Sequence, residues 1–228
     1  MFYCKDAAER FLEKESVDLF IGHPPYYMSE LVFNGGDPSK QMQNVESLEA
    51  YWNNVATSVA HMEYALKPDG HIFIALENTY LGLGVISKIA SKTSLELQSI
   101  RMWDYSTSPN MHAVSTIIFA HYAKNVWGPG DDPSGPYILT NSWEEAEQEL
   151  KKYRDDYMTT GSAPAGLYRE MIENFSREGD TVCDLFAGSG TVPLVAIELG
   201  RKFIFNDVSE DKLILAKKRI KDFMSERQ

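Results

Sequence analysis

The segment VCDLFAGSGTVPLVAIELGRKFIFND, Val182 to Asp207, constrains the fold more than any other. An apolar strand runs into a turn holding Gly188 and Gly190, a helical pattern follows, and a second apolar strand ends on Asp207. Strands this uniformly apolar have no wet face and need cover on both sides. The same alternation runs through the chain. Apolar, β-branched and aromatic runs at Val17–Ile21, His71–Leu76, Ile100–Trp103, Val114–Tyr122, Thr181–Leu185 and Lys202–Phe205 read as strands. Helical spacing marks Asp6–Glu15, Val45–Leu66, Leu83–Ser91, Leu167–Phe175, Val192–Leu199 and Asp211–Met224. The pattern predicts an α/β fold, a sheet with helices on both faces.

With 228 residues, 43% of them apolar, the chain is expected to bury one sizeable core in a single domain over residues 1–228. KPDG, Lys67–Gly70, reads as the turn from the long helix into the next strand. WGPGDDPSGP, Trp127–Pro136, continues neither helix nor strand, so an excursion leaves the sheet at about residues 127–160. Within it, SWEEAEQELKKYRDDY opens on Ser142 with Glu145 three residues later, a capping-box spacing that predicts a helix.

Charge narrows the partners. Lys and Arg number 22 against 33 Asp and Glu, a formal net charge of −11, so the whole molecule repels a polyanion at long range, which argues against generic nucleic-acid coating. A local basic groove stays open, because phosphates respond to charge within a Debye length of about 8 to 10 Å. The excursion helix is acidic, with Glu144, Glu145, Glu147, Glu149, Asp155 and Asp156 against Lys151, Lys152 and Arg154, and reads as a solvated or protein-contacting face. Lys212, Lys217, Lys218, Arg219 and Lys221 alternate with Leu213, Leu215 and Ile220 and read as an exposed helix face. Cys4 and Cys183 lie far apart outside any close-spaced ligand set, so free thiols and no metal are expected. No leader-like or bilayer-length apolar run is present, and the expectation is a cytoplasmic protein with no membrane contact.

Gly188 and Gly190 permit a backbone approach that a Cβ would block, and the helix beginning beyond them offers unpaired amides. A cofactor is expected there. Asp207 stands roughly where folds of this class place the acid that binds ribose hydroxyls, and a helix-capping or solvated role is the other reading. Pro193 occupies the place of the third glycine in the dinucleotide fingerprint, which argues against a dinucleotide.

A second loop follows the first long strand: VDLFIGHPPYYMSE, Val17–Glu30. Pro24 and Pro25 lack N–H groups and have fixed φ, so they hold a stiff loop whose carbonyls have no local donors. A stiff carbonyl accepts a hydrogen bond from an amine, and Tyr26 offers a face on which a planar ring stacks. NGGDPSKQMQN, Asn34–Asn44, is read as either a lid over that pocket or a plain surface loop.

DLFIGHPPYY resembles the catalytic loop of the DNA amino-methyltransferases, which carry Asp-Pro-Pro-Tyr or Ser-Pro-Pro-Tyr after an apolar strand. DLFAGSGT followed by ELGRKFIFND is similar to that family's S-adenosylmethionine loop and acidic strand end, and YW, LKPDGHIFI and VSTIIFAHYAKN match the layout between them. The catalytic loop comes first and the cofactor loop last, the permuted order of the beta group. The resemblance implies a Rossmann-like methyltransferase fold with a mixed, mostly parallel sheet. It implies methyl transfer from S-adenosylmethionine to the exocyclic amine of adenine or cytosine in DNA, as in restriction–modification. The base would be flipped from a duplex or presented on a single strand.

By the same resemblance, His23, Pro24, Pro25 and Tyr26 form the catalytic set, and Asp184, Phe186, Ala187, Gly188, Ser189, Gly190, Thr191 and Asp207 bind the cofactor. Ser162 and Ala163 join the cofactor set at the place of a Lys-Pro motif whose lysine is missing here. The excursion takes the place of the target-recognition region, and a homodimer or a partner subunit would add surface for DNA.

His23 departs from the family by replacing Asp or Ser. A neutral imidazole has one acceptor nitrogen for one amine proton, and an unperturbed one also takes up a proton near pH 6.5. Alternatives stay open at this level: a methyltransferase of the same fold acting on RNA or a protein amide, or a non-catalytic cofactor-binding subunit of a methyltransferase complex.

Overall fold

The computed structural model describes residues 1–25, 27, 45–77, 80–104, 116–125 and 165–225. Among them, seven strands form one sheet: β1 (Phe2–Tyr3), β2 (Val17–Gly22), β3 (Leu66–Glu77), β4 (Glu96–Asp104), β5 (Thr116–Ala123), β6 (Thr181–Asp184) and β7 (Lys202–Asn206). The order across the sheet is β1-β7-β6-β2-β3-β5-β4. The first five in that order run parallel, while β5 is antiparallel to both β3 and β4. Five helices connect them: α1 (Leu48–Ala65), α2 (Tyr80–Lys92), α3 (Ala165–Phe175), α4 (Thr191–Glu198) and α5 (Glu210–Ser225).

Strand side chains alternate between faces, and the two faces hold separate cores. Phe20, Ile72, Ile74, Leu76, Ile118, Ala120 and Tyr122 pack with α1 and α2 through Val55, Val59, Met62, Val85 and Ile89. Leu19, Ile21, Phe73, Ala75, Ile117 and Phe119 face the other way, onto Met171, Ile172 and Phe175 of α3 and Val192, Val195 and Ala196 of α4. Leu213, Ala216 and Ile220 of α5 close over Phe205 and Ala187 in a third cluster.

Six expected strands are present, with ends shifted by a few residues. Of the helical segments, Asp6–Glu15 is not helical. Its amides are committed elsewhere: Phe11 N and Leu12 N both donate to His61 Nε2, at 3.2 and 3.3 Å, and Ala8 N donates to the Asp6 carboxylate at 2.9 Å. With Nε2 accepting, the ring proton sits on Nδ1, which faces the Ala7 carbonyl at 3.3 Å. KPDG is a second correction, since α1 passes straight into β3 at Leu66 and Lys67–Gly70 lies inside the strand. The pairing of β2 jumps there from Val17↔Leu66 to Leu19↔His71, so the four residues form an irregularity against Asp18. Lys67 Nζ donates to both Asp18 carboxylate oxygens at 2.8 Å and fastens it. The excursion at 127–160, its helix and the Asn34–Asn44 segment lie outside the described residues. No helix among the described residues is long and apolar enough to cross a membrane.

Candidate active site

β6 and β2 are neighbours, with Leu19 paired to Val182 and Phe20 to Cys183. The chain leaves them in opposite directions across the sheet: β6 leads through α4 to β7, and β2 leads through α1 to β3. Beyond their carboxyl ends the connections diverge and open a crevice, where open α/β sheets bind ligands. The two loops singled out in the sequence meet here. A Cβ built on Gly22, immediately before His23, would lie 3.2 Å from Phe186 Cδ2, so the proline loop and the glycine loop are in contact at their roots.

The glycine loop is braced from below. Ala187 N donates to Asn206 O at 2.9 Å and Gly188 N to Asp207 Oδ2 at 2.9 Å, while Asp207 Oδ1 accepts Ser209 N at 2.9 Å. Asp207 thus holds its own loop and the glycine loop together; each oxygen keeps a lone pair for a hydroxyl donor. Asp184 is buried, and its Oδ1 accepts Phe186 N at 2.8 Å. Burial pushes its carboxyl up to about 8, against the pull of that N–H, and nearby Asp207 adds to the rise.

The two glycines differ. Gly188, at φ 51°, has open space where a Cβ would stand, the nearest atom being Phe186 O at 3.9 Å. Gly190, at φ 84°, caps α4 and lies against α5, where a Cβ would approach that of Ala216 to 2.9 Å. Ser189 between them is buried, and its Oγ has no hydrogen-bond partner among the described residues. Open backbone at Gly188, an unmet buried hydroxyl at Ser189 and a buried carboxyl at Asp184 fit a ligand with cationic and hydroxyl groups, and the first turn of α4 at Thr191 suits an anionic one. S-adenosylmethionine has all three.

On the other side of the crevice His23 is half-buried, and burial pushes its imidazole down to about 4. The ring is therefore neutral at physiological pH, with an acceptor nitrogen. Pro24 beside it is buried. Tyr27 reaches back to α1, its ring 5.5 Å from that of Tyr51, which pins the far end of the loop. Tyr26, Ser162 and Ala163 lie outside the described residues.

One strand escapes sequence periodicity. β1 pairs with β7 through Phe2↔Phe205 and Tyr3↔Asn206, and brings Cys4 to Asp6 to the same sheet edge. Asn206 clamps this segment, accepting Lys5 N at 2.9 Å and donating to Lys5 O at 3.0 Å and Leu185 O at 3.1 Å. A two-residue strand carries no periodicity, and the signal available was the polar turn after an aromatic pair.

The chain is similar to known DNA methyltransferases in both sequence and fold. The chain is 26% identical over 242 residues to the Type II methyltransferase M2.DpnII of Streptococcus pneumoniae, covering 92% of this chain and 86% of the relative. It is 26% identical over 240 residues to the Type II methyltransferase M.HpaI of Haemophilus parainfluenzae, covering 95% and 73%. The fold superposes on the cytosine-N4-specific PvuII DNA methyltransferase with a TM-score of 0.68 at 19% identity, covering 97% of this chain and 90% of that one. It also superposes on M1.HpyAVI in complex with SAM, with a TM-score of 0.60 at 19% identity over 96% and 98% of the two chains. The profile of the N6/N4 DNA methylases matches residues 17–218, and the chain belongs to that DNA methylase family.

Proposed function

We propose that this DNA methylase activates the exocyclic amine of an adenine or cytosine with His23 and the Pro24 carbonyl, beside S-adenosylmethionine held by the glycine loop. The contact between Gly22 and Phe186 carries the reading, because it sets the proline loop and the cofactor loop against one another at the β2–β6 crevice. The cofactor, when bound, supplies an electrophilic methyl group on a sulfonium.

The amine is a poor nucleophile because its lone pair is delocalised into the ring. The neutral His23 nitrogen and the Pro24 carbonyl accept hydrogen bonds from its two N–H groups and draw the nitrogen toward tetrahedral geometry, which frees the pair for attack. Catalysis of this kind rests on positioning and electrostatics. With its imidazole pushed down to about 4, His23 orients the amine in this reading and is not the base. The proton leaves to solvent after transfer. Asp184 and Ser189 would hold the polar end of the cofactor, Gly188 would give it room, and Asp207 would accept from its hydroxyls. Thr191 at the start of α4 completes the rim. Tyr26 supplies the face for the target ring, and the excursion at 127–160 supplies target recognition, with a flipped or single-stranded base as substrate and a second copy or partner subunit adding surface.

Labelled methyl transfer from S-adenosylmethionine to DNA, with digestion to nucleosides, tests the reading. N6-methyladenine or N4-methylcytosine is the expected product, and label in RNA or protein alone overturns it.

A further inference from the structure

The basic residues of α5 read from sequence as an exposed face, but one of them turns inward. Arg219 is half-buried, and its Nη1 donates to the Ser189 carbonyl at 2.6 Å. Three residues earlier, one turn back on the same face, Ala216 is fully buried against Gly190. α5 therefore touches two successive residues of the glycine loop, one through a charged hydrogen bond and one through close packing. Other ties of the loop run to β7 and the turn after it, Ala187 N to Asn206 O and Gly188 N to Asp207, and within the loop itself, where Gly190 N donates to Ala187 O at 2.8 Å. Ser189 itself has a buried hydroxyl with no partner among the described residues.

We propose that Arg219 is a positioning residue for the cofactor: by holding the Ser189 carbonyl from α5, it fixes the peptide between Gly188 and Gly190 in the conformation that receives S-adenosylmethionine. This rests on the assignment of the glycine loop as the cofactor site. The physical reason is the freedom of the loop. Two glycines with positive φ flank Ser189, and glycine itself offers little resistance to a flip of the adjoining peptide, so the Ser189–Gly190 peptide depends on its two hydrogen bonds, Gly190 N to Ala187 O on one side and Arg219 to Ser189 O on the other. A carbonyl bonded to a guanidinium resists that flip, since the charge-assisted bond is about twice as strong as a neutral one and would be left unmade. The order is set before the cofactor arrives, so Arg219 acts on affinity more than on the chemical step.

The test is calorimetry with S-adenosylmethionine on the whole protein, paired with methyl-transfer kinetics. Arg219→Met keeps the aliphatic stem and removes the donors; its Kd and KM for the cofactor should rise about tenfold, with kcat at saturating cofactor within about twofold of the parent. Arg219→Lys restores a cation without the planar fork and should recover part of the loss, to a Kd about three- to fivefold above the parent. Lys218→Ala, on the exposed neighbouring position, should leave cofactor affinity unchanged, which separates the specific contact from general charge. A folded Arg219→Met protein with the parent's Kd, or a loss of thermal stability with no change in Kd, overturns the proposal. If only Arg219→Lys folds, its Kd decides, and a parent value overturns it. Absence of binding in the parent itself would instead refute the cofactor assignment.

Discussion

Gly190 lies against Ala216 so closely that a side chain on the first would run into the second, the two Cβ positions being 2.9 Å apart. Gly188, two residues away, has no such neighbour. Substitutions at the two glycines therefore report different things. Gly190→Val should chiefly destabilise the α4–α5 packing, by about 2 to 4 kcal/mol from overpacking together with the left-handed backbone. Gly188→Ala should fold, at a cost of about 1 kcal/mol for its left-handed φ, and weaken the cofactor about tenfold by filling the open side of the loop. Denaturation without cofactor and calorimetry with it measure the two effects; unchanged affinity in folded Gly188→Ala would remove Gly188 from the site.

Because burial holds His23 near 4, methyl transfer should not fall as pH drops from 8 to about 5.5 on account of this ring, and should decline only nearer its own pKa. Replacing His23 with Ala should lower single-turnover rates by about tenfold to a hundredfold, with little change in cofactor affinity. Asp at this position should retain or raise activity. A rate profile that titrates near 6.5 and flattens in the Ala variant would show an exposed, ordinary histidine.

Asp184 is neutral below about pH 8, yet a cofactor cation calls for its carboxylate. Cofactor binding at pH 7 should release a proton, and affinity should rise with pH up to about 8 and then level. Calorimetry in buffers of different ionisation enthalpy reads the proton directly, and Asp184→Asn should abolish its release. Equal apparent enthalpies in all buffers would separate Asp184 from the cofactor's charge.

His71 and His121 form a buried pair, Nδ1 to Nε2 at 3.0 Å, between β3 and β5, with His121 stacked on Phe73 at 4.4 Å. Burial pushes both down, to about 4 and about 3, and Arg101 adds to the shift at His121. The folded pKa values lie below the unfolded 6.5, so the unfolded chain takes up protons that the fold refuses. Stability is complete above about pH 6.5 and declines as pH falls toward 4, by about 2 kcal/mol for each ring between pH 7 and pH 5. Urea unfolding across that range measures the slope, and His121→Gln should reduce it.

Binding to DNA by the isolated chain should be weak and fall steeply with salt, because a net charge of −11 leaves attraction to local cations alone. Titration of a short duplex between 50 and 200 mM salt measures the slope; tight, salt-insensitive binding would mean that another kind of contact dominates.

Much of the sheet was legible because its strands are apolar on both faces, as Phe20 and Ile21 on β2 show: adjacent residues, opposite cores, both buried. The glycine and proline loops were legible for a related reason, since each interrupts an apolar run with residues chosen for backbone conformation. The failures share a cause as well. Asp6–Glu15 has helical spacing, but the acceptor that takes its amides is His61, about fifty residues away, and no local pattern encodes it. The inward turn of Arg219 was hidden likewise, because a cation among lysines on a helix looks solvated until the helix is docked. Gly190 reads from sequence as room for a cofactor, and in the fold its missing Cβ makes room for Ala216 of α5, which no local pattern encodes.

The cofactor half of the crevice is assembled from chain segments about two hundred residues apart: Met1 and Phe205, Lys5 and Asn206. The proline loop, by contrast, stands on β2 and α1, which are adjacent in sequence. During synthesis the proline loop and its supporting strands therefore emerge long before β7 exists to receive β1 or to present Asp207. On the proposed assignment, a partly made chain would carry the amine-binding loop with no place for a methyl donor, and transfer would wait for the late strand that closes the sheet.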